Sequence, residues 1–121
     1  MSVLDASAIL AFLQQEKGAS VVEKALLAGA VCGAANWSEV AQKVRARHRD
    51  WDLARALLLG YDLELVPMTV ELAELAADRW ATTRTLSLGD RLCLALGEVL
   101  DRPVLTADRA WGRAGRIRQI R

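Results

Sequence analysis

Four carboxylates, Asp5, Glu39, Asp90 and Asp108, fall where strand-like runs end or helix-like runs begin, and no lysine or histidine lies beside any of them in sequence to neutralise them. Two carboxylates about 4 Å apart repel by roughly 4 kcal/mol at an effective dielectric near 20, so four brought to one place must take up protons or cations. An all-oxygen donor set without cysteine or histidine selects a hard cation, Mg²⁺ or Mn²⁺, over zinc. The two cysteines, Cys32 and Cys93, are far apart in the chain, and the only histidine, His48, lies in the arginine-rich RARHRD stretch as a surface residue rather than a ligand. A divalent ion held by acids in an open cleft can orient a phosphodiester, lower the pKa of a bound water and stabilise the leaving oxygen, which is nuclease chemistry. The lone histidine argues against the other route to RNA cleavage, in which paired imidazoles act as general base and acid.

The elements must place these acids. SVLD is a short apolar run that ends in Asp5 and passes straight into ASAILAFL, and PVLTAD repeats the pattern at Asp108 before RAWG. In an open parallel sheet, residues just past the carboxyl ends of strands line the crevice where ligands bind, so both aspartates are expected to face one cleft. Glu39 and Asp90 are each expected in the first turn of a helix, after Asn36 and Ser87, and a helix that follows a strand starts at that same edge. Each acid also has a plain capping role. Asn36 to Glu39 and Ser87 to Asp90 fit the capping box, and Asp5 and Asp108 fit simple N-caps. Capping and metal binding are compatible, because amide dipoles at a helix start hold carboxylates ionised.

Strands are expected near residues 2–5, 30–34, 63–66, 103–106 and 116–120. Helices are expected near 7–15, 19–28, 37–48, 50–60, 70–83 and 90–100, with a short turn near 109–112. The alternation defines an α/β domain with a mostly parallel sheet. After Asn36, Trp37, Val40, Ala41 and Val44 form a packing stripe from which Glu39 points away. After Thr69, Leu72, Ala73, Ala76 and Trp80 form a second stripe, with Glu71, Glu74 and Asp78 on the wet side. The helix from Asp90 is almost wholly apolar and is expected to be covered on most sides.

At 121 residues and 53% hydrophobic, the chain is expected to form one domain that buries roughly two-thirds of its unfolded surface. Net charge is +1, yet the 16 basic residues include only three lysines, Lys17, Lys24 and Lys43. Arg109, Arg113, Arg116, Arg118 and Arg121 crowd the C-terminus with no acid among them, and Arg45, Arg47, Arg49 and Arg55 form a second stretch diluted by Asp50 and Asp52. The guanidinium fork suits phosphate or carboxylate partners, and a solvated helix face explains either patch equally well. Cys32 and Cys93 read as buried free thiols of a reducing compartment. With no long apolar run and no leader sequence, a cytoplasmic, non-membrane location is expected.

VLDASAIL with the following Glu16 to Gly18, then NWSEV, LSLGDRLCLALG and PVLTADRAW, resemble in order and separation the four acidic motifs of PIN-domain ribonucleases. The resemblance spans nearly the whole chain, including the closing IRQIR, and the short stand-alone architecture is most similar to VapC-type toxins of toxin–antitoxin pairs. It implies a three-layer α/β/α sandwich and a Mg²⁺- or Mn²⁺-dependent endoribonuclease that cleaves RNA, often transfer or ribosomal RNA, and stops translation. It also implies a homodimer and a cognate VapB-like antitoxin whose tail occupies the active-site groove. By the same resemblance Asp5 and Asp90 are the principal metal ligands, with Glu39 and Asp108 completing the pocket directly or through water. Ser7 and Thr106 match hydroxyl positions that orient the carboxylates, and Asn36 matches a polar position of the second motif. Phosphodiester hydrolysis would leave a 5′-phosphate and a 3′-hydroxyl, with Arg91 and Arg109 positioning the backbone. Trp37, Trp51, Trp80 and Trp111 could stack on bases, although core or dimer contacts account for them more simply. Two alternatives stay open: a catalytically inactive RNA- or protein-binding module on the same fold, and a phosphoacceptor receiver domain, which needs a late lysine that this chain lacks.

Overall fold

Strand residues alternate between two packing faces, and that alternation sets the layers. Val3, Val31 and Val104 enter a core shared with Leu72, Ala76 and Leu96. Their neighbours Leu4, Cys32 and Leu105 enter a core shared with Ile9, Val22, Val40 and Leu58. The computed structural model describes residues 1–121. Its strands are β1 (Ser2–Leu4), β2 (Ala30–Gly33), β3 (Leu63–Val66), β4 (Val104–Thr106) and β5 (Ile117–Gln119). Helices α1 (Ala6–Leu13), α2 (Ala19–Ala28), α3 (Ala34–Ala46) and α4 (Trp51–Leu59) cover one face; α5 (Val70–Asp78) and α7 (Leu88–Leu100) cover the other, with the short α6 (Trp80–Thr83) between them. The result is a three-layer α/β/α sandwich. No helix is long and apolar enough to cross a membrane.

All five strands run parallel, in the order β3-β2-β1-β4-β5. Val3 is in register with Val31 on one side and Val104 on the other. The chain therefore leaves β1 toward β2 and β3, then crosses back to lay β4 and β5 on the opposite flank. Between β1 and β4 the loops diverge, which opens a crevice at the carboxyl edge. Because α7 leads back into β4, its N-terminus lies at that edge too. Gly18 enters α2 with φ +96°, and a Cβ there would sit 2.8 Å from Ile120 O, so glycine alone lets the C-terminal segment pack down.

Two packing expectations are corrected. The helix expected over 70–83 breaks at Arg79, which leaves helical geometry (φ −90°, ψ 5°) and pairs through its guanidinium with Glu98 of α7. Leu75 packs in place of Ala73, and Trp80, turned out of the stripe, is 51% exposed with the Arg84 guanidinium 5.6 Å from its ring. Helix α7 is an outer-layer helix and, contrary to expectation, is not covered on most sides. Only Cys93, Ala95, Leu96 and Gly97 are buried, while Leu88 and Val99 face solvent because the sheet covers a single side.

Candidate active site

Asp5 follows β1 directly and caps α1, its Oδ1 accepting from the Ala8 amide at 2.8 Å. Its residue is only 3% exposed, so the carboxylate must find its partners inside the protein. Ser7 Oγ donates at 2.8 Å to both carboxylate oxygens, and Thr106 Oγ1 donates to Oδ2 at 2.6 Å. Each hydroxyl is aimed by a backbone amide just past β4: Ala107 N–H donates to Ser7 Oγ at 2.9 Å, and Asp108 N–H donates to Thr106 Oγ1 at 3.0 Å. Two relays thus run from the turn after β4 to the acid after β1. Burial nevertheless pushes the Asp5 carboxyl up from 3.8 to about 6; the bonds from Thr106, Ala8 and Ser7 pull it down, and the Asp90 charge pushes it further up.

Asp90 and Ser87 form the expected capping box at the start of α7, with Asp90 N–H to Ser87 Oγ at 3.1 Å and Ser87 N–H to Asp90 Oδ2 at 3.3 Å. The second expected box, Asn36 to Glu39, does not form. Gly33 ends β2 and serves as the N-cap itself, so α3 begins at Ala34 and Glu39 falls in the second turn rather than the first. Asn36 is instead 1% exposed, its Nδ2 reaching Gly89 O at 3.5 Å while its Oδ1 has no donor. That contact ties α3 to the residue before Asp90, and the reversed amide would set oxygen against the Gly89 carbonyl. Glu39 also has a neutralising neighbour: Lys43, one helical turn on, approaches Oε2 to 3.2 Å. Adjacency in sequence hid this partner, which helical i,i+4 spacing supplies. The pair is half-exposed and contributes little to stability.

The negative field of these acids is felt together at one point. Cys93, buried below the start of α7, has its thiol pushed well above the ordinary range by burial first and then by the charges of Asp5, Asp90 and Glu39, with a contribution from Cys32. Burial, reinforced by Asp5, likewise pushes Cys32 up to about 12. Both cysteines are free and buried. A Cβ at Gly89 would lie 3.8 Å from Glu39 Oε1, so Glu39 borders the turn that carries Asp90. Asp108 is placed differently. Its backbone joins the site through Thr106, while its exposed carboxylate accepts from Ala110 N at 2.9 Å and caps the 3-10 turn Arg109–Trp111.

No three acidic, histidine or cysteine side chains stand close enough to enclose a metal ion. The residues fit a hard divalent ion that keeps most of its waters, since such ions bind through one or two carboxylates rather than a protein cage. Such an ion would be held by the Asp5 and Asp90 carboxylates, and its charge would relieve the burial-raised Asp5 carboxyl. Replacing Thr106 by valine removes one donor to Asp5 and orphans the Asp108 amide. If Asp5 holds a divalent ion, affinity for that ion is expected to fall roughly 10- to 100-fold, measured by metal titration.

The basic residues diverge. Arg91 bends back to Ser87 O at 3.4 Å and lines a groove of about 360 Å³ with Arg79, Leu94 and Trp111. Arg109 lines a different basin beside Asp108. A wider concavity of about 700 Å³, between α1 and the start of α4, contains none of the four acids. Trp37 and Trp51 pack edge to face with centroids 5.1 Å apart, and Trp51 and Trp111 are buried, so they serve the core. Gln119, not singled out from the sequence, donates to Asp108 O at 2.8 Å and Gly112 O at 2.9 Å and so pins the turn that holds Asp108. No local pattern marks a glutamine in an edge strand for that role.

The fold and the order of acids around its carboxyl edge define a family. A PIN domain model matches residues 2–117, and the chain belongs to the PIN domain family. Its structural neighbours are VapC toxins and toxin–antitoxin complexes. A toxin–antitoxin complex from Klebsiella pneumoniae aligns over 100% of this chain and 98% of its own, at 14% identity and TM-score 0.81. VapC20 of Mycobacterium tuberculosis, described as a sarcin–ricin loop cleaving toxin, aligns over 95% of both chains at 14% identity and TM-score 0.74. VapBC2 of Rickettsia felis, bound to a DNA fragment of its promoter, aligns over 98% and 97% at 8% identity and TM-score 0.73. No curated protein matches the chain by sequence.

Proposed function

We propose that this chain is a divalent-metal-dependent endoribonuclease toxin, using Mg²⁺ or Mn²⁺ to hydrolyse RNA and so inhibit translation. A cognate VapB-like antitoxin would restrain it, and transfer or ribosomal RNA is the substrate class. The observation that carries the reading is Asp5. A buried carboxylate, bonded on both oxygens yet still raised by burial, stands at the sheet's switch point with Asp90 adding to its charge. An uncompensated charge of that kind is costly unless a cation completes it.

A bound divalent ion would supply a water of lowered pKa and charge neutralisation at the phosphate. The chain's own groups do the rest. Asp5 and Asp90 would hold the ion, Ser7 and Thr106 lock the Asp5 rotamer, and Asn36 steadies the turn that presents Asp90. Asp108 and Glu39 keep the edge anionic, and arginines at its margin hold the strand. Water adds to phosphorus as the P–O3′ bond breaks, leaving a 5′-phosphate and a 3′-hydroxyl. The family membership, together with fold likeness to toxins of antitoxin complexes, supports the partner, and a cytoplasmic homodimer is proposed with it.

Asp90→Asn is the direct test. Cleavage of mixed RNA with Mg²⁺ or Mn²⁺ is expected to fall at least about 100-fold, the loss typical of one preorganised electrostatic contact. Undiminished cleavage would remove the acid pocket from the mechanism. The Glu39–Lys43 pair favours the second reading, a silent RNA- or protein-binding module, because it partly neutralises one acid. RNA binding without metal-dependent cleavage by the unaltered chain would establish that reading instead.

A further inference from the structure

The five arginines of residues 109–121 look equivalent in sequence, and the structure sorts them into two groups. Arg116 pairs with Asp101, and Arg118 donates to the carbonyls of Gly115 and Ile117 at 2.8 and 3.0 Å. Both are occupied. Arg109, Arg113 and Arg121 make no ion pair or side-chain hydrogen bond, and all three line one open basin of about 280 Å³ together with Gly112 and Gln119. No acidic side chain and no apolar residue lines it.

We propose that Arg109, Arg113 and Arg121 form a subsite for a backbone phosphate of the RNA, next to the acidic edge at Asp108. Like charges gathered round one basin repel, so the arrangement is relieved by an anion, and the guanidinium fork matches phosphate oxygens. The support is rigid rather than loose. Gln119 bridges Asp108 O and Gly112 O, fixing the turn that projects Arg109 and Arg113, and Gly112 at φ +73° has nothing within 4 Å of where a Cβ would stand, which leaves the basin open. Arginine clusters recognise acidic peptides as well as phosphates, and the phosphodiester is favoured because the basin adjoins Asp108 at the acidic edge on which the nuclease reading rests. The inference rests on the nuclease reading only for the choice of strand, RNA, and places a contact beside the scissile site rather than at it.

The test is binding of a fluorescent single-stranded 12-nucleotide RNA of mixed sequence, in EDTA, across about 50 to 300 mM KCl. Arg113→Gln with Arg121→Gln is expected to weaken binding about 5- to 30-fold and to lower the slope of log K against log salt by about 0.7 to 1.4, at roughly 0.7 per phosphate neutralised on a single strand. Arg116→Gln with Arg118→Gln removes the same charge from the same segment and is expected to stay within twofold of the unaltered chain. Equal losses in the two doubles would mean diffuse attraction and overturn the subsite, as would RNA affinity that neither double changes. Loss of binding to an acidic peptide with RNA binding intact would overturn the RNA assignment. If the unaltered chain binds RNA in this arginine-dependent way but cleaves none with Mg²⁺ or Mn²⁺, the subsite stands and the nuclease reading fails.

Discussion

Replacing Asp5 by asparagine is expected to silence RNA cleavage and, at neutral pH without metal, to raise the melting temperature. The two effects share one cause. Burial holds the Asp5 carboxyl at about 6 in the fold against 3.8 when exposed, so ionising it costs the folded state free energy that the unfolded chain does not lose. At about 1.36 kcal/mol per unit the penalty reaches about 3 kcal/mol. Asparagine removes it and keeps an oxygen for the Ala8 amide, while its own amide faces Thr106 Oγ1 as a donor. A net gain of about 1–3 kcal/mol corresponds to roughly 3–10 °C for a chain of this size.

The sign sets the pH window. A carboxyl whose folded pKa is raised is compatible with full stability below pH 3.8, loses it as pH climbs through about 6, and loses no more above that. The difference between Asp5→Asn and the unaltered chain should therefore be absent near pH 4, grow to pH 6 and stay flat beyond. Mg²⁺ or Mn²⁺ should raise the melting temperature of the unaltered chain, since a ligand that binds only the folded state stabilises it, and should leave Asp5→Asn nearly unmoved. Melting curves that coincide at pH 7.5 would show that the Asp5 charge carries no burial cost, which removes the argument for a cation.

The strand and helix sequence was readable because each local signal agreed with the tertiary demand. SVLD and PVLTAD carry alternating residues that fill both layers of a covered sheet, as Val3 and Leu4 do. What could not be read depended on direction rather than type. Ser87 and Asp90 satisfy each other across three residues, so their capping box was local and visible. Asn36 shows the same spacing to Glu39, but Gly33 had already opened the helix, and only the packing of α3 on α7 decided that Asn36 would turn inward to Gly89. The tail arginines make the same point. Nothing in their order distinguishes Arg113 from Arg116; Asp101, at the C-cap of α7, draws one away and leaves the other free.

Gly97→Val is expected to impair cleavage far more than it impairs folding, although residue 97 touches none of the acids. Gly97 is buried where α7 crosses β4, and a Cβ there would fall inside contact distance of Val104 Cγ2 and 3.3 Å from Arg102 O. Overpacking of this kind costs about 1–3 kcal/mol, and the cheapest relief is for α7 to move outward. Helix α7 is rigid over the two turns that separate Gly97 from Asp90, so the shift is carried to the carboxylate, while Asp5 stays fixed by hydroxyls anchored past β4. A displacement of about 1 Å can cost about 100-fold in rate. Gly89→Ala is the counter-test. It lies next to Asp90, yet its Cβ would meet only Glu39 Oε1 at 3.8 Å and Ser87 Oγ at 3.9 Å, ordinary contacts that require no movement. Cleavage within about threefold of the unaltered chain is expected for it, and at protein concentrations corrected for the folded fraction, a larger loss at position 89 than at 97 would show that α7 does not transmit packing at its β4 crossing to the site.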